Sequence, residues 1–294
     1  MRSNVSQYEL VAPGSLGAVL ALLAAEPGAW TPMAGGTELM VALGAGRLEQ
    51  RKLVSLWGID ELRRITASDD WLTIGAGATF TDIRQNAVVA KEFPLLARAA
   101  SWTGAIANQN RGTLGGNIAN ASPAADSPPV LLVYEAEIEL VSAEGARRIP
   151  YSEFHLGYKR TVMRQQELVM AVHLPRRRRL QVEYLRKVGT RNALAISKIA
   201  LAAVGAMQSG KVQAVRIAAA SLCETPARLN ATEAALLGHA LPPERIQAAR
   251  KALLQEVKPI DDIRSTANYR AQVAANLLEE FLEQMTASDS KTHL

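Results

Sequence analysis

The sequence has little of three features that often direct a first interpretation: cysteine, aromatic residues and long apolar runs. Cys223 is the single cysteine among 294 residues, so no disulfide, CxxC pair or cysteine-ligated cluster can form within the chain. The four histidines are scattered without metal-ligand spacing, and we therefore expect no metal site. Lys198 interrupts the best apolar run before it reaches the roughly 18 residues of a membrane span. These absences predict a cytoplasmic protein without a membrane span.

Charge and aromatic content argue against nucleic-acid binding. The net charge is only +5, and aromatic residues make up 5% of the chain. A nucleic-acid interface spreads basic residues over one face, often with aromatic side chains between them. Much of the positive excess lies instead in the run Arg176–Arg179, which we interpret as a solvated turn at a domain boundary. We expect no nucleic-acid partner.

Length and hydrophobic patterning predict two domains, with a boundary after residue 176. Residues 8–57 alternate strands and helices, and we interpret the apolar run 16–25 as a helix capped at Ser15 and not as the core of a signal peptide. Further along, the patterns predict strands at 71–75, 137–141, 167–174 and 182–187, helices at 81–90, 91–102 and 265–285, and a hairpin of 196–207 with 212–222. We expect residues 286–294 to form a disordered tail.

The most unusual stretch is 111–132, which combines glycines, short polar side chains and three prolines. Gly112, Gly115 and Gly116 would permit a close approach of the backbone to a ligand, or a positive φ, and successive amides in such a turn bind anions. We interpret the stretch as a rigid, exposed loop, and long ordered loops tend to be functional. An ordinary surface turn remains the alternative for the Gly-Gly-Asn part alone.

A second glycine-rich turn, 34–37, follows a predicted strand and precedes a short predicted helix, a suitable place for a phosphate. The segment 205–212 has the spacing of a phosphate loop, but Val212 replaces the required Ser or Thr and strands flank it, which favours a hairpin turn. The segment that begins with Gly75 and Gly77 is not a Rossmann fingerprint, because the third glycine of the G-x-G-x-x-G pattern is missing. Two turns in one α/β region thus point to a polyanionic ligand.

These two turns resemble the flavin motifs of one enzyme family. Met33-Ala34-Gly35-Gly36-Thr37-Glu38-Leu39 resembles the first flavin motif of the FAD (medium) subunit of molybdenum hydroxylases, the xanthine dehydrogenase and carbon monoxide dehydrogenase type. Thr113-Leu114-Gly115-Gly116-Asn117-Ile118, followed by Ser122-Pro123 and Asp126, resembles the second. Tyr184-Leu185-Arg186-Lys187-Val188-Gly189 is similar to the start of that family's C-terminal domain, and the resemblance covers nearly the whole chain.

The resemblance implies an α+β fold with two domains. Residues 1–176 would form a two-lobed FAD-binding domain of the vanillyl-alcohol oxidase and UDP-N-acetylenolpyruvoylglucosamine reductase type, with lobes of about 1–57 and 58–176. Residues 177–285 would form a C-terminal α+β domain with an antiparallel sheet and helices. By the same resemblance the two turns hold the pyrophosphate of FAD between backbone amides, Asp126 lies near the adenosine ribose or adjoining atoms, and Val169 and Lys187 approach the flavin.

The resemblance assigns cofactor-binding residues but no catalytic acid or base and no metal ligand. A cation at Lys187 would stabilise a reduced, anionic flavin, although a solvent-facing strand lysine is the alternative. The family often has an arginine where Gln109 stands, which leaves the contact of that guanidinium open. The implied cofactor-binding residues are Pro32, Met33, Ala34, Gly35, Gly36, Thr37, Glu38, Leu39, Thr113, Leu114, Gly115, Gly116, Asn117, Asp126, Val169 and Lys187.

The implied function is electron transfer within a multi-subunit enzyme. The subunit would pass electrons from [2Fe–2S] clusters of a small partner subunit through FAD to NAD⁺, oxygen or a quinone. A large partner subunit would carry molybdopterin, and the assembly would be a heterotrimer or a dimer of heterotrimers. Two alternatives remain: a stand-alone flavin-dependent reductase of the same fold, and a flavin-free binding or assembly protein. Fold-level analogy alone does not separate them.

Overall fold

A computed structural model describes residues 5–177, 180–191 and 195–292, with the side chains of 290–292 excepted. The first lobe is a three-stranded parallel sheet with two helices. In chain order its elements are β1 (Glu9–Val11), α1 (Leu16–Ala25), β2 (Trp30–Met33), α2 (Leu39–Gly44) and β3 (Lys52–Ser55). Strand β3 lies in the centre of the sheet. The predicted cap of α1 is confirmed, because the Ser15 hydroxyl accepts a hydrogen bond from the amide of Ala18.

The second lobe is a five-stranded antiparallel sheet with short helices. Its strands are β4 (Ile65–Ala67), β5 (Trp71–Gly75), β6 (Glu137–Ser142), β7 (Gly145–Pro150) and β10 (Leu168–Pro175), in the order β4-β5-β10-β6-β7. The small hairpin of β8 (His155–Gly157) and β9 (Arg160–Thr161) precedes β10. Sequence patterns missed the edge strands β4 and β7, because neither carries a buried residue that would mark a period of two.

The helices of this lobe divide more finely than predicted. They are α3 (Phe80–Gln85), α4 (Ala87–Glu92), α5 (Pro94–Trp102), α6 (Ile106–Gln109), α7 (Leu114–Ala119) and α8 (Ser127–Val133). The two predicted helices 81–90 and 91–102 are therefore three. Asn86 separates the first two, since its side chain accepts hydrogen bonds from the amides of Val88 and Val89. Pro94 begins the third at the first helical position.

The prediction of an exposed loop at 111–132 is wrong. It contains α7 and all but the last residue of α8, and α8 is buried along its whole length. Pro128 lies in the first turn of α8, where its missing N–H removes no helical hydrogen bond. Tertiary packing explains the burial, because Val130 and Leu131 belong to a core that also contains Leu185 and Ala218 of the next domain. Sequence composition could not reveal this neighbour.

The remaining residues form a four-stranded antiparallel sheet. One face of this sheet packs against the second lobe, and helices of the same domain cover the opposite face. Its elements are β11 (Val182–Val188), β12 (Ile199–Gln208), β13 (Lys211–Ala220), β14 (Ala227–Arg228), α9 (Asn230–Leu236), α10 (Pro243–Glu256) and α11 (Ala267–Thr292). The predicted hairpin is confirmed, with Ser209 and Gly210 at positive φ in its turn. Strand β12 is buried on both faces, because α8 covers one and α11 the other.

Two local expectations need correction at the ends of this domain. Residues 286–292 continue α11 instead of forming a disordered tail, and the Thr286 hydroxyl donates to the carbonyl of Leu282. Arg176 is not merely solvated, since its guanidinium forms two 2.7 Å hydrogen bonds with the carboxylate of Glu92. Arg177 pairs with Glu135 at 2.7 Å. Arg178 and Arg179 lie outside the described residues, as do the tail residues 293 and 294.

Candidate cofactor site

A cleft of about 860 Å³ runs between the two lobes and reaches the C-terminal domain. The first lobe contributes the turn after β2, the second contributes α7 and the residues before α8, and the C-terminal domain contributes Lys187 and Ser197. The structure thus gathers residues from three parts of the chain around one space. Among the residues assigned from the family resemblance, the cleft is lined by Pro32, Ala34, Gly35, Gly36, Thr37, Glu38, Leu39, Thr113, Gly115, Gly116, Asn117, Asp126, Val169 and Lys187.

Two of the assigned residues do not line the cleft. Leu114 is fully buried and belongs to the core of the second lobe. Met33 is the last residue of β2, and its carbonyl accepts a hydrogen bond from the amide of Leu56. The residues next to Met33 and Leu114 in the two motifs do line the cleft. Met33 and Leu114 themselves pack beneath its surface.

The turn at 34–39 offers a row of backbone donors. Within the part of the chain that the structure describes, none of the six amides from Ala34 to Leu39 donates to a backbone or side-chain acceptor. Gly36 has a φ of +73°, a conformation that favours glycine. Successive amides in a turn with such a residue form a concavity that attracts anions. This turn can therefore bind a phosphate group through its backbone.

Glycine at position 35 serves a different purpose. A Cβ on Gly35 would lie 1.7 Å from the carbonyl oxygen of Arg111, so no larger residue fits without movement of the backbone. Arg111 precedes the second glycine motif, and the two loops therefore contact each other directly. Its guanidinium also lies over the ring of Trp57, 3.7 Å from the centroid. The close approach fixes the spacing of the two walls of the cleft.

The loop at 112–117 differs from the prediction, because most of its amides, including all four from Leu114 to Asn117, already donate to acceptors within the protein. The amides of Leu114 and Gly115 donate to the carbonyls of Ala78 and Ala76 at 3.0 and 2.8 Å. The amide of Gly116 donates to the Thr113 hydroxyl, and that of Asn117 donates to the Thr113 carbonyl, which together cap α7. The family resemblance predicts instead that this loop helps to hold the pyrophosphate through its backbone amides.

The glycines of this second loop also differ from the expectation. Neither Gly115 nor Gly116 has a positive φ. A Cβ on Gly115 would lie 2.4 Å from the Cβ of Ala76, so this glycine allows α7 to pack against the end of β5. Gly116 is exposed toward the cleft, and a Cβ there would meet only the Thr113 hydroxyl, at 2.9 Å. The second loop therefore contributes a closely approaching surface, and the first loop supplies the free donors.

Asp126 and Lys187 form a buried ion pair at the junction of the two domains. The Lys187 ammonium lies 2.5 Å from Oδ2 of Asp126 and also donates to the carbonyl of Trp102 at 3.1 Å. The Ser197 hydroxyl donates to Oδ1 of Asp126 at 2.5 Å. Burial raises the pKa of Asp126, while Lys187 and Ser197 oppose that rise. Lys187 is thus not a solvent-facing lysine, and its charge is compensated in this structure.

Sequence reasoning missed the wall formed by residues 159–168. Lys159, Arg164 and Gln165 line the cleft there, beside the predicted Val169. Glu167 supports this wall, because Arg147 contacts both of its carboxylate oxygens, at 2.7 and 2.9 Å, and so lowers its pKa. The residues carry no glycine motif and no regular period, so only the tertiary structure identifies them as part of the site.

Gln109 stands where the family often has arginine, but it does not face the cleft. It is buried, and its side-chain amide donates to the carbonyl of Ser101 at 2.9 Å. It is absent from the residues that line the cleft. Gln109 therefore connects α6 with the end of α5, and its effect is on the packing behind the second loop.

The residues around the cleft fit a dinucleotide cofactor such as FAD. The free amides of the turn at 34–39 suit a pyrophosphate, and the volume of the cleft, about 860 Å³, leaves room for the rest of a dinucleotide. Neutral polar side chains such as Asn117 and Asn120, the basic side chains of Lys159 and Arg164, and the Asp126–Lys187 ion pair add polar groups to the surface of the cleft. The described residues contain no cluster of His, Cys, Asp or Glu that could hold a metal ion. Across the same residues, no helix combines the length and apolar character needed to cross a membrane.

Comparisons with known proteins agree with this geometry. Residues 6–177 match the family described as the FAD binding domain in molybdopterin dehydrogenase. Residues 184–285 match the CO dehydrogenase flavoprotein C-terminal domain. The family resemblance seen in the two glycine motifs is therefore confirmed, and so is the α+β fold class.

Similar proteins extend over nearly the whole chain. The xanthine dehydrogenase FAD-binding subunit of Escherichia coli O157:H7 is 29% identical, over 87% of this chain and 88% of the relative. The carbon monoxide dehydrogenase medium chain of Hydrogenophaga pseudoflava is 28% identical, over 94% of this chain and 96% of the relative. A solved structure of carbon monoxide dehydrogenase from H. pseudoflava that lacks the Mo-pyranopterin moiety superimposes with a TM-score of 0.90 at 29% identity, covering 96% of this chain and 98% of that one.

Proposed function

This chain belongs to the family defined by the FAD-binding domain of molybdopterin dehydrogenases, and we propose that it relays electrons within a multi-subunit molybdenum enzyme. It is an FAD-dependent oxidoreductase subunit. In the proposed assembly a small partner subunit carries [2Fe–2S] clusters and a large one carries molybdopterin, as a heterotrimer or a dimer of heterotrimers in the cytoplasm. NAD⁺, oxygen or a quinone would accept the electrons.

The observation that carries the cofactor assignment is the row of six amides at 34–39 on the wall of the cleft. Backbone N–H groups are strong hydrogen-bond donors, so a row of them that faces a cleft without an acceptor among the described residues is available to an anionic ligand. We propose that Gly35, Gly36 and Thr37 hold the pyrophosphate through these amides, and that Gly116 and Asn117 face it from the opposite wall. The remaining assigned residues of the cleft enclose the rest of the cofactor.

When bound, FAD supplies the redox chemistry, and the protein positions it and adjusts its electrostatic surroundings. Lys187 places a positive charge at the cleft, where Asp126 compensates part of it and holds the ammonium in position. No acid or base is needed from the chain for electron transfer, and we assign no catalytic residue. Asp126 is N-terminal to α8 and Lys187 lies on β11, so the pair also fixes the C-terminal domain against the cofactor domain.

Titration of the purified apo-protein with flavins tests the cofactor assignment. FAD should bind tightly, whereas FMN and riboflavin, which lack the pyrophosphate, should bind at least about tenfold more weakly because the charge-assisted hydrogen bonds of the turn are lost. Denaturation of protein purified from its host should release FAD. Equal affinity for FAD and FMN would contradict the proposed role of the turn, and a colourless protein that binds neither would favour a flavin-free binding protein.

A second measurement tests the electron relay. Expressed alone, the chain should bind FAD yet show no substrate-dependent reduction of NAD⁺, because the substrate pocket lies on another subunit. Purified from its host, it should bring with it one iron–sulfur and one molybdenum subunit. Turnover by the isolated chain with its own substrate would favour a stand-alone reductase instead.

Lys187→Ala provides a test within the site. The variant should retain FAD, because the proposed phosphate donors lie elsewhere, but its flavin reduction potential should fall, since a buried carboxylate remains without its cation. Redox titration measures the change. Lys187→Arg, which keeps the charge, serves as the control, and an unchanged potential in Lys187→Ala would contradict an electrostatic role.

A further inference from the structure

A chain of polar contacts connects the last helix of the protein with the cofactor cleft. It begins at Arg270 on α11, whose side chain is only 1% exposed. One nitrogen of its guanidinium lies 2.5 Å from the carboxylate of Asp262, and another donates to the carbonyl of Ser221 at 3.2 Å. Its Nε has no partner among the described residues. Burial of a guanidinium with an unpaired nitrogen costs free energy of folding. We infer that the contacts which the Arg270 guanidinium does make serve a function in the protein.

Ser221 is the centre of this chain of contacts. It follows the last residue of β13 and has a φ of +66°, which is uncommon for a residue other than glycine. Each of its polar groups is engaged: the amide donates to the carbonyl of Pro123 at 2.7 Å, the hydroxyl donates to the carbonyl of Ser197 at 3.0 Å, and the carbonyl accepts from Arg270. Strained backbone of this kind persists where the surroundings hold it in place.

On the side of the cleft, Ser221 contacts Ser197, which lines it, and Pro123, whose neighbours Ser122 and Ala124 line it. Pro123 lies in the segment between α7 and α8 that ends at Asp126. The hydroxyl of Ser197 donates to Asp126 at 2.5 Å, and Asp126 in turn pairs with Lys187. The contacts therefore run from Asp262 and Arg270 through Ser221 and Ser197 to the ion pair. Ser197 and Ser221 are themselves buried, at 1% and 6% exposed.

We propose that Arg270 is a positioning residue for the cofactor cleft: it fixes Ser221, which orients Ser197 and so holds the Asp126–Lys187 pair in place. This inference rests on the proposed binding of FAD in that cleft. Arg270 touches neither the cleft nor its lining residues Asp126 and Lys187, so it acts only through Ser221. An anchor for α11 alone would need no buried charge, because Leu278, Phe281 and Leu282 already pack that helix into the domain core.

A double-mutant cycle on FAD affinity distinguishes positioning from simple stabilisation. Arg270→Met and Ser197→Ala should each weaken FAD binding, and the double variant should be no weaker than the worse single variant, because both interrupt the same chain of contacts. We expect about a tenfold loss for Arg270→Met, which corresponds to ~1.4 kcal/mol. Dissociation constants are measured by titrating apo-protein with FAD, and the midpoint of thermal unfolding is recorded for each variant.

Ser221→Ala keeps the test decisive if Arg270→Met does not fold. It removes only the hydroxyl that reaches Ser197 and leaves the contacts of the Ser221 amide and carbonyl intact. The loss of one buried hydrogen bond should weaken FAD binding about threefold to tenfold. The effect should vanish in a Ser197→Ala background, where the contact has nothing to orient. A full additional loss in that background overturns the proposal.

Arg228→Met is the matched control. Arg228 also lies in the C-terminal domain and forms a two-nitrogen ion pair with Glu233 at 2.7 Å, but none of its recorded contacts leads to the cleft. It should lower the unfolding midpoint without changing FAD affinity. Equal loss of FAD in Arg228→Met and Arg270→Met would reduce Arg270 to a structural role. Failure of the wild-type protein to bind FAD overturns the proposed function, whereas unchanged affinity in Arg270→Met and Ser221→Ala overturns the positioning role alone.

Discussion

The turn at 34–39 and the loop at 112–117 both present a Gly-Gly pair to the same cleft, yet their backbones are satisfied in different ways. Amides of the first turn have no acceptor among the described residues, whereas those of residues 114–117 are bonded to the second lobe or to Thr113. Gly36 has a positive φ, and neither glycine of the second pair does. A Gly-Gly pair therefore serves two different purposes here: it leaves backbone donors free for a ligand in the first turn, and it permits close packing in the second loop.

The largest effect is expected where the two loops touch. Gly35→Ala would place a Cβ 1.7 Å from the carbonyl oxygen of Arg111, so the loops must separate. Overpacking of this kind costs about 1–3 kcal/mol or more, and we expect FAD affinity to fall at least about tenfold to a hundredfold. Gly44→Ala, at the end of α2, is the control, because nothing lies within 4 Å of its added Cβ. Titration with FAD measures both variants, and equal affinities would contradict the contact.

A smaller effect is expected at the positive φ of the first turn. Gly36→Ala forces an L side chain into a left-handed conformation, at a cost of about 1–2 kcal/mol. FAD affinity should fall by about tenfold. Gly36→Asn should lose less, because asparagine tolerates this conformation better. If the two variants bind FAD equally well, the conformation of Gly36 is not what orders the donors.

The second loop should be less sensitive than the first. Gly116→Ala adds a Cβ that meets only the Thr113 hydroxyl, and the Gly116 amide is already bonded there. We expect FAD affinity to change by about fivefold at most, through a weakened cap on α7 worth roughly 0.5–1 kcal/mol. Gly210→Val in the β12–β13 turn should lower stability and leave FAD affinity unchanged. A loss in Gly116→Ala as large as in Gly36→Ala would reverse the comparison between the loops.

The last prediction concerns the stability of the C-terminal domain, not FAD affinity, and its dependence on pH through Asp262, which pairs with Arg264 and Arg270. Arg264 and, secondarily, Arg270 hold the pKa of Asp262 well below its usual range. The pKa of Asp262 in the folded protein lies below its value of about 3.9 in the unfolded chain. The ionised carboxylate therefore contributes its full stabilisation above about pH 3.9, and this stabilisation is lost as the pH falls through the folded pKa. Asp262→Asn should therefore lower the free energy of unfolding near pH 7 by about 1 kcal/mol.

Urea unfolding of the wild type and of Asp262→Asn at several pH values measures this difference. It should be constant between pH 5 and 7 and should shrink below about pH 4. Glu61→Gln is a suitable control, because Glu61 is exposed and has no ion pair among the described residues. A difference that is independent of pH down to strong acid would show that the Asp262 charge does not support the fold.

Local signals in the sequence were sufficient for several elements. Ser15 caps α1 as predicted, Ser209 and Gly210 form the predicted hairpin turn, and the turn after β2 leads into a short helix. Each of these depends on contacts within a few residues, where capping and turn preferences act directly. The motif resemblance added the family and the cofactor, because two spaced motifs preserve more information than hydrophobic period alone.

Tertiary structure decided what each part of the site does. Whether the amides of 114–117 were free depended on the carbonyls of Ala76 and Ala78, which the sequence places far from the loop. Burial of α8 depended on the neighbouring domain, and the meeting of Asp126 with Lys187 joined residues 61 positions apart. The sequence by itself determined which segments could bind a dinucleotide, since backbone freedom is a local property. Only the fold determined which donors stayed free, because hydrogen-bond partners and burial come from distant parts of the chain.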